Sequence, residues 1–137
     1  MVVLAGPHLH TAPAAGEWSV FGCLAHAFDA ESVMSGYRLI LAHDEPQILG
    51  YDQDLWVQRL HAETEGESAE RLLELFGALR AANIELWRRS SDEDRARVGM
   101  HAERGPESYD LSFRMIAGHD RFHLRQAHET LETVTAG

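Results

Sequence analysis

Ser68-Ala69-Glu70-Arg71-Leu72-Leu73-Glu74-Leu75-Phe76-Gly77-Ala78-Leu79-Arg80 is the stretch whose reading decides the fold class. Leu72, Leu75, Phe76 and Leu79, continued by Leu86 and Trp87, recur with the 3.6-residue period of an amphipathic helix. Ser68 is a residue type that caps helix N-termini, so the pattern predicts one helix from Ser68 to about Arg89. Upstream lies a polar break (Glu63, Glu65, Gly66, Glu67), preceded by a short helical piece, Asp52 to about His61, holding Leu55, Trp56 and Leu60. Earlier still, Phe21, Leu24, Ala25 and Phe28 stripe a helix that starts near Trp18 or Ser19. It should run to about Ala42, where Asp44-Glu45-Pro46 stops it. Downstream, Ser91-Asp92-Glu93-Asp94 reads as a cap-like cluster that could start a single turn, and Gly99 to Ser108 reads as a loop containing Pro106. A last helix, Ser108 to about Val134, carries Leu111, Met115, Ile116, Phe122 and Leu131. Ala, Leu and Glu supply 48 residues against 16 for Val, Ile and Thr, a balance that favours helix over strand. The expected architecture is all-α, an antiparallel helical bundle forming a single domain over 1–137, with an irregular start over 1–16. Trp18, Phe76, Leu79, Trp87 and Met115 are its expected core.

The chain's 137 residues suffice for one hydrophobic core. Acids outnumber bases 22 to 12, and a net charge of −10 argues against a grip on nucleic acid or anionic membrane. All 12 bases are Arg; the absence of Lys excludes a Schiff-base lysine and a phosphate-loop lysine. The single Cys23 excludes an intrachain disulfide and any multi-cysteine metal site. No secretory signal or spanning segment is evident, so the expected location is cytoplasmic.

Nine histidines are present, and one pair, His119 and His123, has i, i+4 spacing within the last helix. Two imidazoles so placed share a face and can converge on one ion, with a third ligand drawn from another helix. His26, midway along the first long helix, is the natural third. Taken alone, His26 reads first as an interior hydrogen-bonded histidine and second as a ligand, and the pair reads equally as a solvated stripe or a site. His8, His10, His43, His61 and His128 sit at the chain start, helix ends or polar flanks and read as surface residues. His101 lies in a segment that could fold over a pocket and stays open. Cys23 reads as a small buried side chain, and Glu31 as solvated or salt-bridged.

Several stretches together resemble the DinB-like (damage-inducible) domain family. They are Gly16-Glu17-Trp18-Ser19-Val20, Leu24-Ala25-His26 with Asp29 and Glu31, and Gly50-Tyr51-Asp52 with Trp56. Leu79-Arg80, Gly99 to Pro106, and Ala117-Gly118-His119-Asp120 with His123 and Gln126 complete the series. The resemblance implies a four-helix bundle in which three histidines, here His26, His119 and His123, hold a divalent ion such as Zn, Ni or Fe. It also implies that the family's first helix is missing here or shortened to a stub at Met1 to Ala5.

The family resembles, and partly includes, S-transferases that use bacillithiol or mycothiol. The expected function is therefore a metal-dependent S-transferase in which a low-molecular-weight thiol is activated to attack a small-molecule electrophile. Asp29 or Asp120 would orient a ligand imidazole, and Arg121 or Arg125 would recognise a carboxylate. The alternatives are a metal-dependent hydrolase and a non-catalytic metal or small-ligand binding protein. With one long wall of the bundle reduced, the exposed stripe is expected to be covered in a homodimer, with a truncated form of a longer protein as the alternative.

Overall fold

Serine and aspartate side chains set where five of the described α-helices begin. The computed structural model describes residues 1–61 and 68–137, so the Glu-rich break at Glu63, Glu65, Gly66 and Glu67 lies outside the described residues. Helix α1 (Val2–Ala5) and a 3-10 turn (Gly6–His8) form the start. Helix α2 (Val20–Gly36) follows Ser19, whose Oγ accepts the Gly22 N–H at 3.1 Å. Asp52 caps α4 (Gln53–Leu60), Ser68 caps α5 (Ala69–Arg89), and Ser108 caps α7 (Tyr109–Ala136) in the same way. Ser91 and Asp94 form a reciprocal capping box at α6 (Asp92–Ala96).

Two expectations need correction. The first long helix ends at Gly36 rather than near Ala42; after a turn at Tyr37 the chain resumes as α3 (Arg38–Ala42). The segment read as a loop is a hairpin, β2 (Val98–His101) and β3 (Gly105–Ser108), and β1 (Gln47–Ile48) pairs in parallel with β2. Gly99 makes this packing possible, because a Cβ there would lie 2.8 Å from Cγ1 of Ile40 and 3.0 Å from Cγ1 of Ile48. Pro106 is tolerated because β3 is an edge strand.

Helix α2 packs against both α5 and α7 and is the centre of the bundle. Small residues at the crossings allow close approach: Ala25, Ala69 and Ala127 are all buried, beside Phe21, Leu72, Val20 and Cys23. At the other end Met34, Tyr37, Ile40, Ile48 and Tyr109 form a second centre, flanked by Trp87 and Phe113. The expected core is corrected accordingly. Trp18, Phe76, Leu79 and Trp87 are half-buried and Met115 is 41% exposed. Alanines occupy the innermost places at these crossings, so these larger side chains lie at the margins. No described helix is long and apolar enough to cross a membrane.

Polar side chains also enter the interior. Glu31, 1% exposed, receives the Arg80 guanidinium (Nε–H at 2.9 Å) and the Asn83 amide (2.8 Å). Arg80 also donates to Asp120, tying α2, α5 and α7 together through one cation. Glu107 is likewise buried, accepting from Arg104 at 2.7 Å and from the Ser112 hydroxyl at 2.7 Å. Arg104 reaches on to the Tyr37 hydroxyl at 3.0 Å.

Candidate metal centre

The packing of α2 on α7 carries His26 to the histidine pair one helical turn apart on α7. His26, His119 and His123 each offer a nitrogen, and these atoms all lie within 4.8 Å of one another. Nε2 of His26 is 2.7 Å from Nε2 of His119, and the His26 and His123 rings meet edge-on at 4.4 Å. His26 is 1% exposed, His123 is buried and His119 half-buried. The structure thus brings together the three histidines that helical spacing and resemblance had selected.

The surrounding hydrogen bonds aim the ring nitrogens. His123 Nδ1–H donates to Oε1 of Gln126 at 2.8 Å, which leaves the Nε2 lone pair for the cluster. His119 Nδ1 faces Oδ1 of Asp120 at 3.5 Å, a long contact that favours the same tautomer. The Trp18 ring covers the site, 4.7 Å from His26 and 5.7 Å from His123 between centroids. Burial, reinforced by His123 and His119 and opposed by Asp120, lowers the His26 pKa to about 3. His123 is lowered too, first by burial. Three imidazoles with nitrogens gathered this closely, one of them with an Nδ1 that has no protein partner among the described residues, fit a borderline-soft divalent cation.

Other candidate residues lie at varying distances from this cluster. Asp120 adjoins His119 and is held by Arg80, with its pKa lowered: burial works against that shift, and the hydrogen bonds from His119 and Arg80 outweigh it. Asp29 is buried and its Oδ1 lies 2.8 Å from Nε2 of His61. His61, expected on the surface, is therefore buried; its partner is 32 residues away, beyond any local signal. Arg121 and Arg125 are exposed, and neither lines the clefts beside the histidines. Glu31 is salt-bridged, and Cys23 is buried with its thiol pushed up to about 11 by burial, which suits a structural role. Sequence reasoning assigned no part to Arg80 or Gln126 as aligners of the site. Both stand in the stretches that carry the family resemblance, and Gln126 lies three residues beyond His123.

Several clefts border the histidines, and the two largest of them share a residue. One, about 460 Å³, is lined by His26 and His119 with Tyr51, Gln53, His101 and Glu103. The other, about 650 Å³, is lined by His123 with Trp18, Gln53, Phe122 and Gln126. Gln53 borders both.

Comparison with known proteins agrees with this architecture. The family model described as the DinB superfamily matches residues 4–127. Among solved structures, the chain is similar to YfiT from Bacillus subtilis, described as a probable metal-dependent hydrolase with an unusual four-helix bundle topology. The two share 20% identity with a TM-score of 0.83, over 95% of this chain and 74% of that one. No curated protein matches in the sequence comparison. With the family model spanning the bundle and all three histidines, the chain belongs to the DinB superfamily.

Proposed function

We propose that the protein is a metal-dependent enzyme that activates a low-molecular-weight thiol for transfer to a small electrophile. The observation that carries this reading is that two roomy clefts sharing Gln53 border the three histidines, one at His26 and His119 and the other at His123. A reaction between two molecules needs two places beside one centre, and effective catalysis follows from holding both in register. His26, His119 and His123 would hold a divalent ion such as Zn, Ni or Fe, which lowers the pKa of a coordinated thiol toward neutrality. Gln126 fixes the His123 ring, Asp120 adjoins His119, and Trp18 packs against His26 and His123.

A second reading is a metal-dependent hydrolase, with water as the activated nucleophile. It is favoured by the description of YfiT and by the carboxylates of Asp52 and Glu103 on the smaller cleft. Turnover separates the two. Zinc- or nickel-loaded protein is incubated with bacillithiol, mycothiol or glutathione and monochlorobimane, and separately with p-nitrophenyl esters. Thiol-dependent fluorescence lost in His123→Ala supports transfer. Ester cleavage without thiol turnover supports hydrolysis, and neither activity in a metal-binding protein would leave a sequestering role.

A further inference from the structure

His101 occupies an unusual position. It is the last residue of β2, paired with Ile48 of β1 on one side and Gly105 of β3 on the other, so its backbone is fixed by two strands. The side chain is 6% exposed. Its Nδ1 accepts two backbone hydrogen bonds across the hairpin turn, from the N–H of Glu103 at 3.2 Å and of Arg104 at 3.3 Å. A nitrogen that accepts carries a lone pair, so the ring proton of the neutral imidazole is on Nε2.

That Nε2–H has no protein acceptor among the described residues, and it is not among the fully buried polar atoms that lack one. It therefore keeps access to the cleft that His101 shares with His26 and His119. A rigidly mounted donor that borders a cleft and is unused by the protein is available to an acceptor on the ligand. The charges of the cleft select among acceptors. Arg104 is taken by Glu107 and Tyr37, while Asp52 and Glu103 add negative charge. Apart from an ion on His26 and His119, a ligand carboxylate would meet that charge with no free side-chain cation among the described lining residues, whereas an uncharged carbonyl would not be opposed.

We propose that His101 is a substrate-binding residue whose Nε2–H donates to an uncharged carbonyl oxygen, of an amide, ester or thioester, on the molecule held beside His26 and His119. This rests on the reading of the three histidines as the reaction centre. It makes the hairpin a specificity element: the strands present a donor at a fixed place, and the metal-binding helices present the nucleophile.

Cobalt(II)-loaded protein tests this, because thiol binding changes its visible spectrum. N-acetylcysteamine carries a thiol and an amide carbonyl; 1-butanethiol carries the thiol alone. Wild type should show a preference for N-acetylcysteamine over 1-butanethiol that exceeds that of the His101→Asn variant by about 3- to 10-fold, the effect of one neutral hydrogen bond. His101→Asn keeps an acceptor for the Glu103 and Arg104 amides but withdraws the outer donor. It should keep the melting temperature and lose the preference. His101→Gln, whose amide reaches the place of Nε2, should restore part of it. A preference that survives in a folded His101→Asn, or one absent from wild type while both thiols bind, overturns the proposal and leaves the metal reading standing. No spectral response to either thiol in wild type overturns both.

Discussion

Replacing Arg80 by Met removes a guanidinium from the junction of three helices while keeping much of its aliphatic volume. The residue left most exposed to the change is Glu31, 1% exposed, whose Oε2 lies 2.7 Å from Nη2 and 2.9 Å from Nε of Arg80. Afterwards that carboxylate retains only the Asn83 amide, at 2.8 Å on Oε1, among the bonds described above. Removing one partner of a buried ion pair costs about 3–5 kcal/mol. Arg80 itself is 27% exposed, so solvent screens part of its field, and about 2–4 kcal/mol is the expected loss. Urea unfolding of metal-free protein should show this as a lower midpoint with an unchanged slope. The double variant Arg80→Met with Glu31→Gln should be less destabilised than the sum of the singles, because a neutral amide has no charge to strand. Arg80 also holds Asp120 beside His119, so zinc affinity should fall about 10-fold or more. A loss below about 0.5 kcal/mol, or strictly additive singles, would refute the reasoning that this cation bridges the helices.

Further expectations concern pH, the sheet and the aromatic cover. The unfolded chain protonates His26 near the ordinary 6.5 and the folded one only near about 3, so the unfolded state binds more protons between these values. The metal-free protein should therefore hold its full His26-linked stability above pH 6.5 and lose up to about 1.4 kcal/mol per pH unit below it. The difference in urea stability between wild type and His26→Gln, followed from pH 7.5 to 5, reads this; a pH-independent difference speaks against it. Gly99→Ala forces a methyl against Ile40 and Ile48 and should cost about 1–3 kcal/mol in the same assay. Trp18 lies against His26 and His123, so binding of Ni(II) should quench tryptophan emission in wild type and much less in Trp18→Phe. An equal response from both would place the ion elsewhere.

The helices were legible because their signals are local. Ser19, Asp52, Ser68 and Ser108 accept from the N–H three residues on, and the 3.6-residue period runs through α5 and α7. His119 and His123 were legible as a pair for the same reason, and His26 through its place on the facing helix and the family likeness. The sheet was not. Val98-Gly99-Met100-His101 is short, begins a Gly- and Pro-containing stretch, and is stabilised by Ile48, fifty residues earlier. The burial of His61 and of Glu107 depends likewise on partners that the fold supplies, Asp29 and the Arg104–Ser112 pair. Met115 shows the limit of periodicity, which finds an apolar stripe without telling which part of it faces a neighbour.

The most direct test is metal content. Wild type, His26→Ala and His123→Ala are dialysed against zinc, then against metal-free buffer, and analysed by elemental mass spectrometry, with X-ray absorption on the loaded wild type. The account predicts about one ion per chain in wild type, a nitrogen shell near 2.0–2.1 Å, and only a small residue in each variant. Equal metal in wild type and a folded His123→Ala would contradict it.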